Sequence, residues 1–193
     1  PKPMNRPTPF ATIALTVAAL IFTAAVARAE FLIHPLFTDH AVLQQELPVP
    51  VWGWGDPDAK VVVEFAGQRK ETAVEGNGLW MALLDPLKAN AKPAVLTATS
   101  AGKTHTISDI LVGEVWLCSG QSNMAMAVQS TTDAASAEAD AAAGKLAGLR
   151  LFKVPVAGAD ERADMVDAAW KTATAENVKI FSATAFYFGR ALN

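Results

Sequence analysis

Between Glu30 and about Ile110, short runs of β-branched and aromatic residues alternate with turn residues. Val49–Trp54 (VPVWGW), Lys60–Phe65 (KVVVEF), Leu79–Leu84 (LWMALL) and the stretches 68–74, 94–99 and 103–107 each read as a strand. Their separators are Gly55-Asp-Pro-Asp58, Ala66-Gly67, Glu75-Gly-Asn-Gly78, a loop over 86–93 and Ala101-Gly102. Turn signals at this spacing predict an antiparallel β-sandwich over residues 30–108. The pattern changes near Ser108. Residues 110–118 (ILVGEVWLC) form a nearly continuous apolar run, as expected of a strand covered on both faces in a parallel sheet. The Ala-rich stretch 133–147 favours helix, and 149–154 reads as another strand. Ser182 is placed to cap a last helix through Leu192, with Phe181, Ala185, Phe188 and Leu192 on one face. Strand, helix, strand, helix predicts the start of an α/β domain over 109–193. Two parallel strands cannot cover their own faces, so this second unit is expected to be incomplete.

Composition then removes several classes of function. At 51% hydrophobic and 18% charged residues, the 193-residue chain is too apolar for a disordered segment. Part of that excess lies in residues 10–26, an apolar run preceded by Lys2 and Arg6 and followed by Ala27-Arg28-Ala29. Basic start, apolar run and small-x-small exit predict a secretory signal peptide over residues 1–29, cleaved after Ala29, and a secreted or periplasmic product. The run is at the short edge of what spans a bilayer, which leaves an uncleaved anchor as the alternative. Taking the leader's three basic residues from 16 leaves 13 against 19 acidic, a net charge of −6 after cleavage. No basic cluster survives to neutralise phosphates, which argues against a nucleic-acid partner. The single cysteine, Cys118, excludes an internal disulfide and a cysteine-built zinc site.

The strongest candidate chemistry is Cys118-Ser-Gly-Gln-Ser-Asn-Met124, directly after the apolar run. A nucleophilic serine needs a sharp turn that presents its hydroxyl, N–H groups aimed at a developing oxyanion, and a base. Gly120 permits the turn, and Ser122 falls where a strand ends and a helix begins, the usual place for sites in open α/β sheets. The hydrolase elbow G-x-S-x-G is matched only in its first half, because Met124 stands at the last glycine. The alternative is that Ser119, Ser122 and Asn123 simply cap a helix. Trp52, Trp54 and Trp80 suit either a sugar-stacking platform or, more simply, a sandwich core. Trp116 and Cys118 read as core residues of the 110–118 strand, with Glu114 paired or at an edge. The acidic stretch 160–167 reads as a solvated loop; its spacing matches no Ca²⁺ loop.

The block Gly113-Glu-Val-Trp-Leu-Cys-Ser-Gly-Gln-Ser-Asn-Met124 resembles the first serine block of the sialate O-acetylesterase family, a branch of the SGNH-type serine hydrolases. Val42-Leu-Gln44, Pro48-Val-Pro-Val-Trp-Gly-Trp54, Gly78-Leu-Trp80 and Asp109-Ile-Leu-Val-Gly113 resemble that family's N-terminal β-domain, and Phe181-Ser-Ala183 with Phe186-Tyr-Phe-Gly189 its next helix. The resemblance implies a flavodoxin-like α/β domain behind the β-sandwich and hydrolysis of O-acetyl esters on sugars, with an O-acetylated sugar or glycan as partner and no cofactor or metal. It implies Ser122 as nucleophile and backbone oxyanion donor, supported by Gly120, Gln121 and Asn123. The family's base is a histidine in a late Asp-x-x-His block, and its further oxyanion donors come from later blocks. None of these is in the chain. His34, His40 and His105 all lie in the β-half and are read as surface or turn residues. The competing reading is a non-catalytic sugar-binding module carried by the β-sandwich.

Overall fold

The computed structural model describes residues 29–158 and 160–193, so the expected leader lies almost wholly outside the described residues. Eight strands carry the first part of the chain: β1 (Leu32–Ile33), β2 (Val42–Gln44), β3 (Val49–Trp54), β4 (Lys60–Phe65), β5 (Gln68–Ala73), β6 (Leu79–Leu84), β7 (Asn90–Ser100) and β8 (Lys103–Gly113). They hydrogen-bond in the orders β1-β3-β6 and β2-β8-β7-β4-β5, antiparallel except for the parallel pair β2 and β8, and curl around one apolar core. The alternation that predicted them is what buries them. Val61, Val63 and Phe65 point inward from β4, and Trp80, Ala82 and Leu84 from β6. Trp80 is wholly buried, and its indole N–H donates to the carbonyls of Leu32 and Trp54, 3.2 Å each, so the largest core residue leaves no polar atom unpaired. Gly53 is required by crowding, since a Cβ there would lie 2.0 Å from the Leu32 carbonyl oxygen.

Among the described residues the second part holds four α-helices, one 3-10 turn (Val128–Ser130) and one antiparallel strand pair: α1 (Ser122–Ala125), α2 (Ala134–Ala142), β9 (Arg150–Phe152), β10 (Trp170–Thr172), α3 (Ala175–Lys179) and α4 (Ala183–Leu192). A smaller core of Val128, Ala137, Leu146, Leu151, Val178, Ala183 and Phe186 holds them together. Ser182 caps α4 as expected, its hydroxyl accepting from the Ala185 N–H. The buried face of α4 is Ala183 and Phe186, however, while Phe188 and Leu192 are exposed.

The apolar run 110–118 departs from expectation. Residues Ile110–Val112 are buried, but as the end of β8 within the mixed sheet of the β-half, not as the first strand of a separate parallel sheet. From Glu114 to Gln121 the chain belongs to no strand and is exposed, Leu117 at 93%. Trp116 and Cys118 are therefore exposed residues, not core residues. The strand at 149–154 pairs with β10 in antiparallel fashion, so the flavodoxin-like parallel sheet expected for this part is absent among the described residues.

Two polar junctions tie the halves together. At the first, Asp109 accepts from His40 Nδ1 at 2.6 Å and from Arg150 at 3.2 and 3.3 Å. His40 and Asp109 both adopt left-handed backbone (φ 70 and 54), a local cost the carboxylate's bonds offset. The hydrogen bond from His40 and the Arg150 charge hold the Asp109 carboxyl below the usual aspartate range, against a partial desolvation. At the second, His34 is buried, correcting its reading as a surface residue. Its ring packs on Trp52 (4.8 Å) and Trp54 (5.7 Å). Nδ1 accepts from the Leu36 N–H and Nε2 donates to the Asp164 carbonyl, both at 3.1 Å, which requires the neutral Nε2–H tautomer. Trp170 adds its indole N–H to the Leu36 carbonyl at 2.9 Å.

Burial pushes the His34 pKa below its ordinary 6.5, outweighing the Asp164 carbonyl bond and charge, which raise it. A histidine kept neutral by folding binds more protons in the unfolded chain, so stability falls as pH drops through and below about 6.5. His34→Gln keeps a donor for Asp164 and has no proton to gain. The difference in melting temperature between pH 7.5 and 5.5 is expected to be smaller in that variant than in the wild type. Asp109→Asn leaves Arg150, whose side chain is only 5% exposed, without its countercharge. It is expected to cost about 2 kcal/mol in urea titrations, below the full cost of splitting a buried pair because Asp109 is partly solvated. Asp109→Ala is expected to cost about 1 kcal/mol more, since alanine tolerates left-handed backbone less well than asparagine.

Candidate functional site

The segment that carries the serine starts where β8 ends. Gly113 lies opposite Gln44 in the parallel β2–β8 ladder, and the chain then leaves the sheet. It is received by α4. The Thr184 hydroxyl donates to the Asn123 carbonyl (3.2 Å), the Ser182 hydroxyl to the Met124 sulfur (3.2 Å), and the Ala183 N–H to the Met126 carbonyl (2.8 Å). Midway, the Trp116 ring meets Phe188 edge-on at 5.2 Å, which gives these two exposed aromatics their one mutual contact.

Ser122 opens α1, a single turn closed by Ala125 N–H to the Gln121 carbonyl (3.0 Å) and Met126 N–H to the Ser122 carbonyl (3.1 Å). The N–H groups of Ser122, Asn123 and Met124 therefore have no intrahelical acceptor. No side chain caps this turn. Neither Ser119, Ser122 nor Asn123 serves as its cap. The Ser122 side chain is exposed and has no hydrogen-bond partner among the described residues. Gly120 is set by a close approach and not by a left-handed turn. Its φ is not positive, but a Cβ there would stand 3.1 Å from the Met124 Cβ. Gln121 precedes the turn at φ −112, ψ −137, and the side chains of Gln121 and Asn123 are exposed.

No histidine is brought to Ser122. His34 is committed to Leu36 and Asp164, His40 to Asp109, and His105 Nε2 to the Phe31 carbonyl at 2.7 Å. Among the described residues no group of three His, Cys, Asp or Glu could hold a metal ion, and no helix is long and apolar enough to cross a membrane. A cleft of about 380 Å³ lies elsewhere, between β9, β10 and α3, lined by Lys153, Asp167, Lys171 and Phe181 among others, without Ser122. Of the tryptophans, Trp80 is core, and Trp52 packs edge-on against buried Phe37 at 5.0 Å besides stacking on His34. Glu114 accepts from Gln45 at 3.2 Å, so the acidic residue of the apolar run sits at an exposed edge with a partner.

No family model matches the chain. Among curated proteins it is 36% identical over 172 residues to sialate O-acetylesterase of Mus musculus, covering 80% of this chain and 31% of that protein. To sialate O-acetylesterase of Homo sapiens it is 36% identical over 169 residues, covering 78% and 32%. A crystal structure of a carbohydrate acetylesterase from Xanthomonas citri superposes with a TM-score of 0.78 at 35% identity, covering 84% of this chain and 37% of that one. The chain thus spans about a third of the length of the relatives it matches. Shared sequence over four-fifths of the chain, together with a shared backbone, makes it a homologue of part of these esterases.

Proposed function

We propose that this chain is the nucleophile-bearing part of a secreted or periplasmic carbohydrate O-acetylesterase. In this reading the chain from residue 30 to the end of β8 at Gly113 forms a β-domain, and the residues after Gly113 begin an SGNH-type hydrolase domain. The observation that carries it is Ser122: an exposed hydroxyl at the first residue of an uncapped turn, with free N–H groups beside it, inside a homologue of acetylesterases.

In the proposed reaction the Ser122 oxygen attacks the acetyl carbonyl while a base removes its proton. The carbonyl oxygen becomes an oxyanion, which accepts from the Ser122 N–H. Its collapse expels the sugar hydroxyl, reprotonated by the base, and leaves acetyl-Ser122. Water attacks that ester in turn, and acetate departs. The three histidines of the chain are all bonded elsewhere, so the base and the remaining oxyanion donors come from outside these 193 residues. The magnitudes require them. One oxyanion donor is worth roughly 3 kcal/mol, whereas loss of a triad member has cost on the order of 10⁶ in turnover.

The full-length gene product is expected to release acetate from O-acetylated sugars, and Ser122→Ala to lower that rate by at least about 10³. Retention of activity in Ser122→Ala would overturn the assignment. The 193-residue chain alone is expected to release acetate at background rate. Appreciable release, abolished by Ser122→Ala, would show that the base lies within it. Comparing O-acetylated sialic acid with acetylated xylan in the full-length protein identifies the sugar. Gly120→Ala, which pushes a methyl group against Met124, is expected to lower kcat by roughly tenfold, read in the same assay.

A further inference from the structure

We infer that Gln44 is a positioning residue that sets where the serine segment leaves the β-layer. The inference rests on the reading of Ser122 as nucleophile and adds a device that acts on it. In the parallel β2–β8 ladder, Leu111 N–H donates to the Ala41 carbonyl and Gln45 N–H to the Gly113 carbonyl. Continuing that spacing, the next rung would run from the Val115 N–H to the Gln45 carbonyl. It does not form directly. The side-chain amide of Gln44 stands in it: Nε2 donates to the Gln45 carbonyl at 3.2 Å, and Oε1 accepts from the Val115 N–H at 2.8 Å.

One rung is thereby lengthened by a whole amide group, and the chain is peeled from the sheet at Val115. The backbone of β2 turns away at the same point, where Glu46 is left-handed (φ 60) and donates to the Leu87 carbonyl. Gln45 reinforces the exit by donating to Glu114 at 3.2 Å. From Trp116 to Gly120 no backbone group is hydrogen-bonded to another described residue. Apart from the Trp116–Phe188 ring contact, placement of Ser122 depends on the polar anchors at its two ends: Gln44 with Gln45 on the sheet side, and Ser182, Ala183 and Thr184 on the α4 side.

Gln44→Met keeps the length of the side chain and removes both polar ends. Gln44→Glu keeps the acceptor for Val115. Hydrogen exchange of the Val115 amide, measured in this chain, is expected to quicken about tenfold or more in Gln44→Met and to stay within a few-fold of wild type in Gln44→Glu. In the full-length protein, Gln44→Met is expected to lower kcat for acetate release by about 10- to 100-fold with KM and melting temperature nearly unchanged, and Gln44→Glu to restore most of kcat. Unchanged Val115 exchange in Gln44→Met would overturn the inference, and so would equal kcat in Gln44→Met and wild type. Failure of a fluorophosphonate to label Ser122 in the wild-type full-length protein would count against the proposed function instead. The exchange result, which needs no catalysis, would then decide the Gln44 rung by itself.

Discussion

The carboxylate of Asp109 holds the molecule's two cores in register. It sits on β8, and it takes hydrogen bonds from His40 on one side and from Arg150, at the start of β9, on the other. Arg150 is nearly buried and its Nε has no partner among the described residues, so Asp109 supplies its countercharge. Removing the acceptor would leave a desolvated guanidinium with only the Ala147 and Leu149 carbonyls and no countercharge, a larger loss than an exposed surface ion pair represents. His34 and Trp170 secure the second junction through backbone carbonyls. With β9 fixed against β8, the small core beneath α4 is fixed too, and α4 is what receives the serine turn.

Against that rigid frame stands a segment that is apolar and open. Val115, Trp116 and Leu117 are exposed in a row, with Phe188 of α4 against the Trp116 ring. An isolated water-facing strip of this kind has little to hold it but its ends. The proposed nucleophile is thus carried on the least supported backbone of its neighbourhood, between two well-supported anchors. Catalytic groups are commonly found on loops placed by a scaffold, and here the scaffold is identifiable residue by residue.

Much of the β-half was legible because its turns are chemically distinct. Ala66-Gly67 and Ala101-Gly102 each supply two residues of positive φ, the geometry that two-residue hairpins require. The errors lie where local pattern and long-range contact disagree. Asp109 falls in the break between the strands expected at 103–107 and 110–118, yet β8 runs through it in left-handed backbone, with His40 and Arg150 bonded to its carboxylate. Pro93 suggested a loop, but it lies within β7 beside register shifts, where a missing N–H is tolerated. The run 110–118 contains a buried part and an exposed part with the same composition, and periodicity cannot divide them. His34 was unreadable for another reason: its partners, Trp52 and Asp164, are distant in sequence. The serine motif itself was plain from its residues, whereas the role of Gln44 depends on a rung that only three-dimensional pairing reveals.

The pairing of β2 with β8 also bears on the order in which the chain becomes organised. Val42 meets Leu111 across the whole intervening β-half, and a parallel contact of that span is costly in loop entropy. The Gln44 bond to Val115 spans 71 residues and cannot precede it. Ser122 is therefore expected to acquire its final position after the β-layer has closed. Until then the apolar run that leads to it stays exposed in a chain still assembling, so the interval between synthesis and closure is when this protein is most exposed to misassociation.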